Sequence, residues 1–98
     1  MEQEIRLIWK KRSQNSIRKI YEYIAENNPQ NAAEFIKRMI RFGQSLTIFP
    51  EKYAPCRFEK FAQHGYHCAV FEKNYILFYK IKGKKVYICN VIHTSRLK

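Results

Sequence analysis

Four side chains of this sequence are suited to chemistry on an anion: His67, Lys80, His93 and Arg96. The segment Lys85–Ile92 alternates in strand fashion and runs directly into His93-Thr94-Ser95-Arg96. An imidazole titrates near neutral pH and can take or give a proton, and a guanidinium presents a fork of donors to phosphate or carboxylate. With His67 and Lys80 on neighbouring strands of the same sheet face, the set could serve acid–base chemistry on an anionic substrate. A plainer account competes with it, in which His93 hydrogen-bonds the chain and ends the strand while Arg96 pairs with a helix carboxylate. For His93 the plain account and a binding role weigh equally, with catalysis third. Arg96 is better explained as a contact to a partner, and His64 falls in a loop without an assigned role.

The elements that must position these groups can be read from periodicity. Ile5, Leu7 and Trp9 alternate with Arg6 and Lys10, which predicts a strand over about 4–9. Ile17, Ile20, Tyr21 and Ile24 then line one face of a helix. Asn27-Asn28-Pro29 stops it, and Asn28 caps a second helix with Pro29 at its first position. The second helix is expected over about 29–47, with Ala32, Ala33, Ile36, Met39, Ile40, Gly43, Leu46 and Thr47 facing inward. Glu34 and Arg38 are spaced as an outward i,i+4 pair. Gly43 suggests close packing against the first helix.

After Pro50 the period becomes two. A short strand is expected over Cys56–Phe61, then a loop at Gln63-His64-Gly65 and a meander over Tyr66–Glu72, Tyr75–Ile81 and Lys85–His93. Lys73-Asn74 and Gly83-Lys84 are the expected two-residue turns. The order β-αα-ββββ is an α+β fold, a helical hairpin packed on one face of a small, mostly antiparallel sheet. Such turns would put Cys68, Val70, Tyr75, Leu77, Tyr79, Ile81, Val86, Ile88, Asn90 and Ile92 under the helices. The opposite face would hold His67, Ala69, Phe71, Ile76, Phe78, Lys80, Tyr87, Cys89, Val91 and His93. That face is unusually apolar for one turned to water, which marks Ile76, Phe78, Tyr87 and Val91, with Arg96, as a partner-binding surface.

Composition sets the frame. The 98 residues are expected to form one domain, 1–98, with seven Phe, seven Tyr and one Trp to build its core. Nineteen Lys and Arg against eight Asp and Glu give a net charge of +11, a field that draws in polyanions such as nucleic acid or an acidic protein. Lys10, Lys11, Arg12, Arg18 and Lys19, then Lys37, Arg38 and Arg41, could form a basic patch, but solvated helix faces carry such charges and these receive no individual role. Cys56, Cys68 and Cys89 are widely spaced and odd in number, so they are expected to be reduced, buried thiols. With the histidines they form no metal-ligand spacing, and no metal or cofactor is expected. The acidic N-terminus is unlike a signal peptide, and no apolar run is long enough to span a bilayer. The expected location is cytoplasmic, with no membrane partner.

A family resemblance rests on the order of several pieces. Ile8-Trp9, Ile17-x-x-Ile20-x-x-Tyr23-Ile24, Asn28-Pro29, Ala32-Ala33, Phe35-Ile36, Leu46, Phe49-Pro50, Tyr75-x-x-x-Tyr79, Val86-x-Ile88 and Val91-x-His93-x-x-Arg96 together resemble the ParE/RelE toxins, often described as plasmid-stabilisation proteins. The likeness runs along nearly the whole chain and is closer to the ParE branch. It implies a toxin neutralised by a cognate antitoxin in a heteromeric complex, with no cofactor. ParE-type members inhibit DNA gyrase by binding it, and RelE-type members cut messenger RNA in the ribosome. Ile76 stands where ribonuclease members carry an arginine, and the sequence to Lys98 supplies no tail tyrosine, so the resemblance implies a gyrase inhibitor first. A ribosome-dependent endoribonuclease using His67, Lys80, His93 and Arg96 is the alternative, and a non-toxic antitoxin-binding module the third.

Overall fold

The computed structural model describes residues 4–50 and 63–97, with no description of the side chains of Arg96 and Leu97. The expected strand over Cys56–Phe61 lies outside the described residues. The rest follows the expected order: β1 (Arg6–Trp9), α1 (Lys11–Ala25), α2 (Pro29–Ser45), β2 (His67–Phe71), β3 (Tyr75–Lys82), β4 (Lys85–His93) and one 3-10 turn over Thr94–Leu97. The four strands form one mixed sheet in the order β1-β4-β3-β2. β1 runs parallel to β4, and the other two pairings are antiparallel. The helical hairpin covers one face of it, the α+β arrangement that the sequence predicts.

The two helices start differently. The Asn28 side chain accepts a hydrogen bond from the Asn31 N–H at 3.0 Å, with Pro29 in the first turn, and a cap of this kind contributes about 1 kcal/mol. α1 begins at Lys10 with no side-chain cap and no acidic residue in its first turn. Its buried Ser13 hydroxyl instead donates to the Lys10 carbonyl at 2.6 Å.

The inward stripe of α2 is rotated from the expected one. Ala32, Met39, Gly43 and Leu46 are buried, Phe35 and Phe42 pack against the core beside them, and Ala33 and Ile40 are exposed. Phe35 meets Phe71 and Tyr75 with centroids 5.5 and 5.3 Å away, and Phe42 meets Phe71 at 5.2 Å. Two large rings outweigh one alanine and one isoleucine in fixing which face turns in. The nearest neighbour of Gly43 is on β1: a Cβ there would lie 2.6 Å from Cη2 and Cζ2 of Trp9. Arg38 also finds another partner than Glu34. Its guanidinium donates to both carboxylate oxygens of Glu72 at 2.7 and 3.2 Å, which raises its pKa, while Glu34 lies 3.8 Å from Lys37.

Two irregularities decide which side chains face the helices. The β2–β3 turn has three residues, Glu72–Asn74, so Phe71 pairs with Tyr75. Compared with the expected two-residue turn this slips β2 by one position, and a slip of one exchanges the faces of a strand. His67, Ala69 and Phe71 therefore share the helix face with Tyr79, Leu77 and Tyr75, and Cys68 and Val70 do not. The second irregularity is a bulge in β4. Phe78 pairs with Asn90 but Tyr79 pairs with Ile88, so Cys89 has no opposite residue. Asn90 secures the bulge by accepting from the Val91 N–H at 2.8 Å and from the Ser16 hydroxyl of α1 at 2.7 Å. Beyond the bulge the alternation is inverted, and Val91 joins Val86, Ile88, Leu77 and Tyr79 in the main core while Ile92 packs on the other side with Ile76 and Phe78.

Candidate anion-binding surface

The four groups proposed for acid–base chemistry are not gathered on one face. His67 stacks on Tyr79, centroids 5.2 Å apart and 22° between planes, on the side of the sheet that the helices cover. Lys80, one residue further along β3, projects from the opposite face. The expectation that His67 and Lys80 share a face is thus corrected by the three-residue turn. His93 lies opposite Tyr75 in the ladder and meets its ring edge-on at 5.1 Å. Its Nδ1 accepts the Ser95 backbone N–H at 3.1 Å and lies 2.9 Å from the Ser95 hydroxyl. A main-chain donor to Nδ1 places the proton of the neutral ring on Nε2. This is the plainer account of His93, a histidine that ends β4 and holds the first turn after it. Arg96 follows in that 3-10 turn.

The apolar partner surface is also revised. Val91 faces the helices and is buried in the main core. Ile76 and Phe78 do lie on the open face, but they are buried there with Tyr66, Cys68 and Ile92, and Tyr66 sets its ring edge-on to Phe78 at 6.2 Å. Tyr87, by contrast, is half-exposed and lines a groove. The cysteines differ from expectation as well: Cys68 is disulfide-bonded and Cys89 is a free thiol. An odd count forbids complete pairing but leaves room for one bridge, and separation along the chain does not measure separation in space.

What the open face offers is positive charge. A groove of about 520 Å³ runs between the β1–α1 junction and the end of β3, lined by Lys10, Lys11, Arg12, Tyr66, Lys80, Lys82, Tyr87 and Cys89. A second groove of about 430 Å³ shares Lys82 and Tyr87 and continues to Glu4, Arg6, Lys84 and Lys85. Lys80 Nζ sits 4.5 Å from the centre of the Tyr66 ring and Lys10 Nζ 5.8 Å from that of Tyr87. Ring faces attract cations, so the tyrosines steady lysines that would otherwise range freely. Among the described residues, none of the five cations of the first groove is ion-paired. Burial pushes the Cys89 thiol up, against the opposing pull of Lys10, Lys80 and Lys82.

Of this groove the sequence marks Lys80 and Tyr87 as site residues, while Lys10, Lys11 and Arg12 fall in the basic patch that receives no individual role. The missed signal is Lys80-x-Lys82 on one side of the β3–β4 turn and Lys84-Lys85-x-Tyr87 on the other, which puts cations on adjacent strand ends beside Lys10-Lys11-Arg12. The described residues contain no group of three or more His, Cys, Asp or Glu placed to hold a metal ion, and no helix long and apolar enough to cross a membrane.

Comparison with known proteins bears on this arrangement as a whole. A solved structure described as the chromosomal ParDE TA system from P. aeruginosa superposes with a TM-score of 0.76 over 91% of this chain and 95% of the other, at 16% identity. At that identity the likeness is one of fold. No curated protein matches the sequence. The family model of the ParE toxin of the type II toxin–antitoxin system parDE matches residues 7–98, from the first strand through both helices and the meander to the tail. With so much of its length matched, the chain belongs to the ParE toxin family of type II toxin–antitoxin systems.

Proposed function

We propose that this protein acts in the cytoplasm as a toxin that inhibits DNA gyrase by binding it, and that a cognate antitoxin neutralises it in a heteromeric complex. The observation that carries the proposal is the ParE family match over 7–98. Tyr87 and Arg96 are the side chains proposed to contact the partner, with Ile76 and Phe78 forming the floor beneath the open face. A ribosome-dependent endoribonuclease would need acid, base and phosphate-binding groups on one surface. The placement of His67 and Lys80 on opposite faces weighs against that alternative, as does the buried isoleucine at position 76.

The test is purified protein incubated with gyrase, ATP and relaxed or supercoiled plasmid. Inhibited supercoiling or trapped cleaved DNA is the expected result. Unimpaired gyrase at saturating protein, with cut messages after induction in cells, would transfer the assignment to the ribonuclease class.

A further inference from the structure

We propose that the basic groove between the β1–α1 junction and the open end of the sheet binds the phosphate backbone of duplex DNA. Its cations come from three separate elements: Lys10, Lys11 and Arg12 from the junction, Lys80 and Lys82 from β3. Tyr87 of β4 stands among them. Gathering like charges without carboxylate partners is unfavourable to the folded chain, and the repulsion is relieved only when an anion arrives. Duplex DNA offers the densest row of such anions, one charge per roughly 1.7 Å of axis.

The rings point to backbone contact and away from base stacking. Lys80 lies over Tyr66 and Lys10 beside Tyr87, so neither ring presents an open platform of the kind that holds single strands. The groove offers the ammonium groups of four lysines, the Arg12 guanidinium and the Tyr87 hydroxyl, groups that hold phosphate in position without reading sequence. The strip continues past Lys82 to Lys84 and Lys85, giving it length along a duplex. The choice of duplex DNA over an acidic peptide rests on the gyrase reading, because an enzyme that grips duplex DNA places that polyanion beside a bound toxin.

The test is fluorescence anisotropy of a labelled 20-base-pair duplex of arbitrary sequence with the full-length chain across a range of salt concentrations. Binding at low salt is expected, with a log–log salt slope of about −4.5 for five neutralised phosphates. Lys80→Glu/Lys82→Glu should weaken binding at least about tenfold and flatten the slope by about 2. Lys80→Gln/Lys82→Gln should do so to a smaller extent, and it serves if circular dichroism shows that the charge-reversed form is misfolded. Lys19→Glu/Lys37→Glu, the same charge change on exposed helix positions, should stay within about threefold of the unaltered protein. Equal losses in both pairs, no binding at low salt, tighter binding of a single strand of equal length, or displacement by polyglutamate as readily as by DNA would each overturn the proposal. Gyrase assays keep the two readings apart. Protein that binds duplex through the groove but leaves gyrase untouched retires only the gyrase reading, and protein that inhibits gyrase without binding duplex retires only this one.

Discussion

The two faces of β3 carry different duties, and they differ in layout as well as polarity. On the helix side Tyr75, Leu77, Tyr79 and Ile81 all serve the main core, and the Tyr79 hydroxyl reaches the Pro50 carbonyl at 2.7 Å. The other side is divided along its length: Ile76 and Phe78 are buried in a small second cluster, and Lys80 and Lys82 then line the basic groove. A strand that alternated simply between core and water would have one apolar and one polar face. Here the second face begins as core and ends as a charged surface, so stability and partner contact are separated by position along the strand as well as by side.

The sharpest way to break this division is a pair of substitutions on β3. Leu77 is fully buried under the helices, and Leu77→Ala should cost about 2–5 kcal/mol in denaturant unfolding, a large share of what a domain of this size has. Lys82→Thr, five residues on and exposed, should stay within about 0.5 kcal/mol. Comparable losses would mean that the open end of the sheet is part of the core. Next in size is Gly43→Ala. The added methyl meets the Trp9 ring, and overpacking of this kind costs about 1–3 kcal/mol. Trp9→Leu removes the ring atoms involved, so the double variant should lose less than the sum of the two single losses. Strict additivity would show that Gly43 does not touch Trp9.

On the open face the expected effect moves from stability to activity. Tyr87→Ser should weaken gyrase inhibition about tenfold, the scale of a modest interface anchor, and change unfolding stability much less than Leu77→Ala does. A loss of stability with inhibition intact would place Tyr87 in the core and leave the groove without a role in the target contact.

These contrasts also explain which parts of the molecule could be read from the sequence. Element order, both helices and the β3–β4 hairpin were legible because each rests on a strong local pattern: the Asn28-Pro29 start, the apolar positions of α1, and Gly83-Lys84 between alternating runs. The facing of side chains was less so. It depends on turn length and on one bulge, and neither Glu72-Lys73-Asn74 nor Cys89-Asn90 differs in composition from a regular two-residue turn or a regular strand. From those two local features came the misplacement of His67, Val91 and Ile92, and with it the supposed catalytic face. The basic groove is a property of three segments brought together by the fold, and no one of them looks unusual alone.

The smallest effect tests the turn that sets this facing. Glu72 and Lys73 have φ of +48° and +71°, the left-handed region that residues with a Cβ occupy at a cost. They hold it because Phe71 must stay opposite Tyr75 for the Phe35 and Phe42 rings to close over it. Glycine enters that region freely but is also more mobile in the unfolded chain, so the two contributions oppose each other. Relief of left-handed strain is the larger, and Lys73→Gly should raise unfolding stability by about 0.5–1 kcal/mol with β2 unmoved. Lys73→Val should do the reverse, because a β-branched side chain fits this region worst. If both substitutions were neutral, residue 73 would not be left-handed in solution. The three-residue turn would then lose its support, and the assignment of Ala69 and Phe71 to the helix face would fall with it.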